Sequence, residues 1–402
     1  MGGNGAVTKL KDVCEFIVDC PHSTAKDEGS GYPLIRTPNI GKGRFNLEGV
    51  HRVSEDVYKQ RNLRATPQDN DLIFAREAPA GNVAIIKNGE KFCLGQRTVL
   101  IRPNPQYVSP DFLTYFLLAP QQQYGLLGTA NGATVAHVNL PTIRELEINL
   151  PSVKSQYRIA DILSAYDDLI ENNRKQINLL EEAAQRLYKE WFVDLRFPGH
   201  EHTKIVDGVP EGWEIYRFSD KVDIMSGGTP KTDNPNYYNG TIPFYTPKDS
   251  DGTFFAFNTI TSITEEGLNN CNSRLYPKNT VIITARGTVG KTTLLGVPMA
   301  MNQSCYALKS DEIGAPYYLF FALNKELASL KTMSNGGVFN TIIIKTFDSI
   351  HIAIPSKDLI TAFETLVTPI MEQIEVKTKE NFALSEVRDR LLPKLINGEL
   401  EV

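Results

Sequence analysis

The sequence predicts an α+β protein with a pseudo-two-fold internal repeat, in which two globular domains of short twisted sheets and long loops are separated by two long helices. Three observations predict it. The chain repeats itself about halfway along its 402 residues. Short β-branched and aromatic runs, interrupted by Gly, Pro and Asn, fill most of each copy. Each copy then ends in a long segment with apolar residues at alternating steps of three and four, which is typical of a coiled coil.

The repeat is visible in matched segments. Residues 70–76 (NDLIFAR) resemble residues 280–286 (TVIITAR), because both run an apolar stretch into Ala-Arg. Further matches pair Gly81 with Gly290, Gln96 with Gln303, Asn131-Gly132 with Asn335-Gly336, and Leu150-Pro151-Ser152 with Ile354-Pro355-Ser356. The displacement drifts from about 210 to about 204 residues, as a few loop deletions would produce. Two copies in one chain predict a ligand with two similar halves.

These matches divide the chain into globular domains at residues 1–152 and 201–356, followed by helices at 153–200 and 357–402. Strands are predicted at residues 71–75, 83–87, 98–102, 280–284 and 342–344, and helices near 110–118 and 316–330. A Pro-Ser dipeptide, Pro151-Ser152 or Pro355-Ser356, closes each globular domain before its long helix. Pro369 is expected to kink the second helix or to mark its effective start.

The long helices carry a heptad seam, and we expect the two seams to pair as an antiparallel coiled coil within one molecule. The first seam comprises Leu163, Tyr166, Ile170, Asn173, Ile177, Leu180, Ala184, Leu187 and Trp191. The second comprises Val367, Ile370, Ile374, Lys377, Asn381, Leu384, Arg388, Leu391 and Leu395. A helix over residues 163–191 is about 43 Å long at 1.5 Å per residue. One turn of duplex DNA is about 34 Å, so this helix could place two modules on successive turns.

Composition excludes several classes of protein. Hydrophobic residues make up 41% of the chain and charged residues 22%, which is ordinary for a globular protein, and no apolar run is long enough for a membrane span. The five scattered cysteines lack a CxxC pair, so we expect reduced thiols in a cytoplasmic protein and no metal site. The net charge of −5 means that binding to DNA would need local basic loops or a basic partner.

Two motifs resemble catalytic loops but are incomplete. Gly290-Lys291-Thr292 could end a phosphate-binding loop, but the first glycine that such a loop requires is replaced by Ala285. Asn234-Pro235-Asn236-Tyr237 differs from the methyltransferase Asn/Asp-Pro-Pro-Tyr loop at Asn236, and no glycine-rich cofactor loop accompanies it. The histidines show no metal or triad spacing. We therefore expect no catalytic residue and no bound cofactor.

The remaining polar loops suit DNA. Lys and Arg neutralise phosphates, Arg reads guanine, and Asn or Gln reads adenine. The candidate DNA-binding residues are Arg36, Lys42, Arg44, Arg76 and Arg97 in the first copy, and Thr229, Lys231, Lys248, Arg286 and Lys291 in the second. For each of them a solvated charge or a structural turn remains an equal alternative.

A family resemblance rests on motifs in a fixed order. These are Ser226-Gly227-Gly228-Thr229-Pro230, Tyr237-Tyr238-Asn239-Gly240, Ile242-Pro243-Phe244, Ala285-Arg286-Gly287-Thr288-Val289-Gly290-Lys291, Asn335-Gly336-Gly337, Ile354-Pro355 and the C-terminal run from Leu391 to Leu400. Together with the alternation of globular domain and helix, they make the whole chain resemble the specificity subunit of type I restriction-modification systems. The first copy departs at its start, where Asp19-Cys20-Pro21-His22-Ser23-Thr24 replaces the SGGTP segment, so we expect its half-site to differ.

The resemblance implies a non-catalytic subunit. In that family, each target-recognition domain reads one half of a split double-stranded DNA site. The paired helices set the unread spacer and dock two methyltransferase subunits, which carry S-adenosylmethionine and methylate adenine. A separate motor-nuclease subunit cleaves unmodified DNA. The seam residues expected to serve as spacer and docking surface are Leu163, Tyr166, Ile170, Asn173, Ile177, Leu180, Leu187, Trp191, Ile370, Ile374, Leu384, Leu391 and Leu395.

Two alternatives stay open on the sequence. The chain could be a DNA adenine methyltransferase or nuclease whose catalytic motifs are unrecognised, or a coiled-coil assembly scaffold with no role in DNA binding. Incorporation of labelled methyl groups by the chain alone would favour the enzyme. Failure to bind DNA even with a methyltransferase partner would favour the scaffold.

Overall fold

The computed structural model describes residues 7–128, 137–333 and 341–402. The matched dipeptides Asn131-Gly132 and Asn335-Gly336 lie outside these residues. The chain forms two compact units. Unit 1 comprises Met1–Ile170 with Ala383–Val402, and unit 2 comprises Glu171–Phe382.

Unit 1 is built on a five-stranded sheet, a three-stranded sheet and a two-stranded sheet. Its strands are β1 Val7–Lys9, β2 Cys14–Asp19, β3 Tyr32–Ile35, β4 Lys42–Gly43, β5 Arg52–Val53, β6 Leu72–Ala75, β7 Val83–Ile85, β8 Cys93–Leu94, β9 Thr98–Pro103 and β10 Glu147–Asn149. Its short helices are α1 Glu55–Arg61, α2 Pro110–Leu118, α3 Pro120–Gly128 and α4 Leu140–Arg144. The strand orders are β2-β9-β6-β7-β4, β5-β3-β8 and β1-β10.

The long helix α5 (Val153–Tyr188) contributes to both units and ends in a π-helical turn at Lys189–Val193. It begins where the Pro-Ser dipeptide predicts. The hydroxyl oxygen of Ser152 accepts a hydrogen bond from the backbone N–H of Ser155 at 3.2 Å, which satisfies one of the free donors of the first turn.

Unit 2 repeats this topology. Its strands are β11 Ile205–Val206, β12 Val209–Pro210, β13 Glu214–Arg217, β14 Asp223–Ser226, β15 Tyr238–Tyr245, β16 Phe255–Ala256, β17 Thr261–Ile263, β18 Val281–Thr284, β19 Thr292–Leu295, β20 Ala300–Met301, β21 Cys305–Lys309 and β22 His351–Ile354. The orders β14-β21-β18-β19-β16, β17-β15-β20 and β13-β22 reproduce those of unit 1 strand for strand, and β11 pairs with β12. Its short helices are α6 Phe218–Lys221, α7 Glu265–Asn269, α8 Pro316–Met333 and α9 Ile344–Asp348.

The parallel strand pairs also recur at the same places in the two units. β4 and β7 are parallel, as are β16 and β19, and β3 and β8 are parallel, as are β15 and β20. All other pairings within these sheets are antiparallel. The internal repeat predicted from the sequence is therefore a repeat of the fold.

The strand pairing in the structure shifts the sequence match of the two Ala-Arg segments by one residue. Ala75, the last residue of β6, pairs with Thr98 of β9, and Thr284, the last residue of β18, pairs with Cys305 of β21. Phe74 and Ile283 therefore occupy equivalent buried positions in the large cores of their units. A shift of one residue would turn each side chain to the other face of the sheet. Arg76 is thus equivalent to Ala285, and the equivalent of Arg286 is Glu77.

One predicted strand is wrong. At residues 342–344 the chain leaves an extended segment and enters α9 at Ile344. The hydroxyl oxygen of Thr346 accepts a hydrogen bond from the backbone N–H of Ile343, which stabilises the first turn of that helix. Ile342 is buried, but Ile343 and Ile344 are both half exposed. Three β-branched residues are too short a run to distinguish a strand from a helix entry.

The second long helix, α10 (Lys357–Ile396), begins at its Pro-Ser dipeptide rather than at Pro369. Pro369 lies inside the helix, so its expected role as the effective start is wrong. Every predicted seam position on α5 and α10 is buried or half-buried, including the polar Asn173. In each unit, segments of both helices join a hydrophobic core.

No helix in the described ranges is both long enough and apolar enough to cross a bilayer.

Candidate nucleic-acid interface

The candidate interface of each unit is the end of its five-stranded sheet where several loops meet, here called the loop edge. In unit 2 the chain leaves β14 and β18 and enters β21 and β19 at this end, because neighbouring strands are antiparallel. Thr229 follows β14, Arg286 follows β18, and Lys291 immediately precedes β19. Lys248 follows β15, whose last residues pair with β20.

The loop edge of unit 2 is basic. Lys231, Lys248, Arg286 and Lys291 are all exposed, and none of them forms an ion pair with another described residue. A hydrogen bond joins two of the loops that carry them. The hydroxyl of Thr288 donates to the carbonyl oxygen of Pro247 at 3.2 Å, which joins the loop of Arg286 to the turn of Lys248. These four cations are therefore available to an anionic ligand such as a phosphate backbone.

At the loop edge of unit 1, Arg76 and Arg97 are paired with acidic residues. Arg76 is only 11% exposed, and its guanidinium donates to Asp19 Oδ2 at 2.7 Å and to the carbonyl oxygen of Val138 at 2.9 Å. Arg97 is 55% exposed and forms an ion pair with Glu77. The other carboxylate oxygen of Glu77 lies 3.1 Å from Nδ1 of His137. Arg76 thus stabilises the loops of unit 1, whereas Arg97 stays largely exposed beside Glu77, which is only 19% exposed.

The other three candidates in unit 1 occupy different places. Arg36 follows β3 at the loop edge, and its buried Nε has no hydrogen-bond partner among the described residues. Arg44 forms an ion pair with Asp168 of α5. Lys42, in β4, lines a cavity of about 160 Å³ beside Asp167 of α5. Lys42 pairs with Val83 at the start of β7, so it lies at the same end of the sheet as Arg76 but two strands away from β6.

A threonine and a glutamine pair their side chains at both loop edges. Of these four residues, only Thr229 is among the candidates from the sequence. The hydroxyl of Thr24 donates to Oε1 of Gln96 at 2.9 Å, and the hydroxyl of Thr229 donates to Oε1 of Gln303. Each glutamine lies two residues before the strand next to the one that the threonine follows. The match of Gln96 with Gln303 in the repeat was the sequence signal that could have identified them.

The seam residues on the long helices pack within the chain. In unit 1, Leu163 of α5 and Leu395 of α10 join one hydrophobic core. In unit 2, Ile177 and Trp191 of α5 join a core with Ile374 of α10. The others are placed as follows: Ile170 and Asn173 are buried, and Tyr166, Leu180, Leu187, Ile370, Leu384 and Leu391 are half-buried. These residues stabilise the fold and present little surface to a partner.

A buried polar network joins α2, α5 and α10 in unit 1. The hydroxyl of Tyr115 donates to Asp167 Oδ2 at 2.6 Å, and the guanidinium of Arg388 donates to Asp167 Oδ1 at 2.6 Å. Burial and the Asp167 carboxylate raise the pKa of Tyr115. Burial opposes the charge on Arg388, but its bonds to Asp167 and Asp389 outweigh this effect, and the pKa of Arg388 is raised. In unit 2, Nδ2 of Asn173 donates to Glu380 Oε2 at 3.2 Å.

Two carboxyl groups of unit 2 are destabilised in their charged form. Burial raises the pKa of Glu181, on α5, to about 7, although its Oε1 accepts a hydrogen bond from the backbone N–H of Phe254. Burial likewise raises the pKa of Glu364, on α10, to about 7, although it accepts a bond from the backbone N–H of Tyr318 at 2.8 Å. Both groups lie on the long helices and accept hydrogen bonds from backbone N–H groups of unit 2, so we expect their titration to affect its stability.

The sequence matches the family model described as the type I restriction modification DNA specificity domain, over residues 4–182 and 210–366. The specificity subunit of the type I restriction enzyme MjaIX from Methanocaldococcus jannaschii is 29% identical, over 98% of this chain and 93% of that protein. The specificity subunit of the HindI enzyme from Haemophilus influenzae is 25% identical, over 82% and 86%. In fold, the chain is similar to the crystal structure of the S subunit of the type I restriction-modification system of M. genitalium. That similarity has a TM-score of 0.58 at 18% identity and covers 98% of this chain and 97% of that one.

Proposed function

The chain belongs to the family of type I restriction-modification DNA specificity domains, and we propose that each of its two units reads one half of a split double-stranded DNA site. It is a specificity subunit, a non-catalytic subunit that recognises DNA within a restriction-modification complex. We assign the two target-recognition domains to residues 1–152 and 201–356, and the spacer helices to residues 153–200 and 357–402.

One observation carries the proposal of two readers. The two units share one strand topology, but the side chains at their loop edges differ in charge. Arg286 at the loop edge of unit 2 has no acidic partner among the described residues, whereas the equivalent Glu77 of unit 1 is paired with Arg97. A shared framework with different groups at the same edge is what two readers of unlike base sequences require.

The spacer proposal rests on how α5 and α10 contact each other within each unit. In unit 1, Asp167 of α5 bonds to Arg388 of α10. In unit 2, Asn173 bonds to Glu380, and the rings of Trp191 and Phe363 lie 6.1 Å apart. Later residues of α5 contact earlier residues of α10. The two helices therefore run in opposite directions, which supports an antiparallel coiled coil. We propose that this pair sets the length of the unread spacer.

The partners follow from the family. We propose that two methyltransferase subunits dock on this chain, that they carry the S-adenosylmethionine, and that a motor-nuclease subunit joins through them in the cytoplasm. The chain itself would bind no cofactor. The docking surface would use the outward faces of the long helices, because the seam residues are occupied. Exposed apolar side chains on those faces are Leu169 and Leu179 on α5 and Leu366, Val376, Phe382 and Val387 on α10.

Reconstitution with the methyltransferase subunit tests the proposal. The purified chain, the partner and the two together are each incubated with DNA and labelled S-adenosylmethionine, and incorporation is located by sequencing. We expect no incorporation by the chain alone and sequence-specific incorporation by the mixture. Incorporation by the chain alone would favour the enzyme alternative. A mixture that neither shifts DNA nor methylates it would favour the scaffold alternative.

A further inference from the structure

The threonine–glutamine pair is a polar feature that both loop edges share. In both units the threonine hydroxyl donates to Oε1 of the glutamine, between Thr24 and Gln96 and between Thr229 and Gln303. Both threonines and Gln303 are exposed, and Gln96 is half-buried. The groups therefore lie where a ligand at the loop edge would contact them.

The backbone around each pair is tightly packed. A Cβ added at Gly227 would lie 2.2 Å from the carbonyl oxygen of Asn302, the residue before Gln303. A Cβ added at Gly95, the residue before Gln96, would lie 2.3 Å from the carbonyl oxygen of Ile35. Only glycine fits at such close approaches, so both loops are held by contacts that no larger residue would allow. The glutamines are thus presented by well-packed loops, as base readout requires.

Unlike the threonine–glutamine pair, the neighbouring side chains at the loop edge differ between the two units. Glu77 in unit 1 is replaced by Arg286 in unit 2, and Arg97, which follows Gln96, is replaced by Ser304. Two readers of unlike half-sites must differ where the bases differ. Side chains that recur at the same place, with the same hydrogen bond, are suited to a base that both half-sites contain.

The hydrogen bond also determines which base fits. With the amide in this orientation, Oε1 accepts from the threonine hydroxyl and the Nε2 donors are left for other groups. Nε2 of Gln303 has no hydrogen bond to a described residue, and that of Gln96 has only a long one, 3.4 Å, to the carbonyl oxygen of His22. In the major groove, adenine presents N7 as an acceptor beside the N6 amino group as a donor. Nε2 can donate to N7 while the second lone pair of Oε1 accepts from N6, whereas guanine presents two acceptors and cytosine a donor alone.

We propose that Gln96 and Gln303 are specificity-determining residues that each read an adenine, one in each half-site, in an orientation held by Thr24 and Thr229. The inference rests on the proposed function, since it requires that each unit reads one half-site. Two residues beyond each threonine, the exposed Lys26 and Lys231 are placed to contact the adjoining phosphates.

The test uses the complex of the full chain with its methyltransferase partner and the split site found for the unaltered complex. Q303E keeps the shape of the side chain but exchanges the amide donor for an acceptor, which suits the amino group of cytosine. We expect Q303E to lower affinity by about tenfold at one A·T position of one half-site, with cytosine now tolerated there. Q96E should do the same in the other half-site. Substitution of 7-deazaadenine at that position should weaken the unaltered complex but should not weaken Q303E, which has no donor for N7.

The matched control is K231A, which should weaken binding to every sequence alike and change no base preference. The inference is overturned if Q303E weakens all sequences alike, as K231A does, or if it relaxes a position in the same half-site as Q96E. A hydrogen-exchange comparison of β21 in Q303E and the unaltered chain separates lost folding from lost readout. If the unaltered complex recognises no split site at all, the proposed function fails, which is a different result.

Discussion

Glu77 and Arg286 occupy equivalent positions in the two units, two residues beyond the ends of β6 and β18. Glu77 forms an ion pair with Arg97 and lies 3.1 Å from His137, whereas Arg286 is exposed and has no partner among the described residues. A guanidinium reads the two acceptors of guanine, and a carboxylate accepts from the amino group of cytosine. If these two residues contact bases, we expect the two half-sites to differ at this position.

Replacing Arg286 should alter base preference. R286A removes a bidentate donor, so we expect a loss of about 1 to 3 kcal/mol in discrimination at one G·C position of one half-site. Binding of the methyltransferase complex to duplexes with each base at each position measures this. R286A should leave the other half-site unchanged. Equal weakening for all bases, with a smaller dependence on salt, would instead identify Arg286 as a phosphate contact.

Arg76 should affect stability rather than readout. R76A leaves Asp19, which is 14% exposed, without its cation, and removes the bond to Val138. We expect a loss of about 2 to 3 kcal/mol in the stability of unit 1. The control is K59A, which removes the exposed ion pair with Glu55 and should cost less than about 1 kcal/mol. Hydrogen exchange of β6 and β9 reports the difference, and similar losses of protection in the two variants would contradict the assignment.

The network around Asp167 should depend on Arg388. R388L leaves the Asp167 carboxylate, 6% exposed, beside Tyr115 without its cation, so we expect a loss of about 3 to 5 kcal/mol in the free energy of unfolding. R390L, on the same helix, removes a largely exposed ion pair with Glu386 and should cost less than about 1 kcal/mol. Urea unfolding of the full chain measures both, and an R388L midpoint equal to that of R390L would show that the network adds little.

Glu364 should make unit 2 less stable as the pH rises. Its pKa is raised from an ordinary value of 4.5 to about 7, so the folded state binds more protons than the unfolded state between these values. The free energy of unfolding therefore falls as the pH rises through this range, and the stabilisation is complete only below about pH 4.5. E364Q, which does not titrate, should be more stable than the unaltered chain by about 1 to 2 kcal/mol at pH 8 and by little at pH 5. Urea midpoints at the two pH values test this. The same difference at both pH values would exclude titration of Glu364 as the cause.

The sequence predicts the framework because it is set by periodicity. The seam residues of α5 and α10 recur every three or four positions, and the structure buries or half-buries all of them. Helix α2 spans residues Pro110–Leu118, the range that the sequence predicts. The mixed helix and sheet content and the repeated domain follow from the same patterns.

The loop edge is harder to predict because charge pairing depends on contacts between distant residues. Arg76 and Arg286 look alike in the sequence, since both follow an apolar run and an alanine. Only the strand register shows that Glu77, not Arg76, is the equivalent of Arg286. Asp19 lies 57 residues from Arg76 along the chain, so no local pattern reveals that their side chains meet.

An exchange of one recognition domain tests the central claim most directly. Residues 205–350 are replaced by the equivalent region of a related specificity subunit, and adenine methylation is mapped across the genome of cells that express the chimaera with its methyltransferase. The account predicts that one half of the recognised sequence changes to that of the relative, while the other half and the spacer length stay the same. A change in both halves, or in neither, would contradict the assignment of one unit to each half-site.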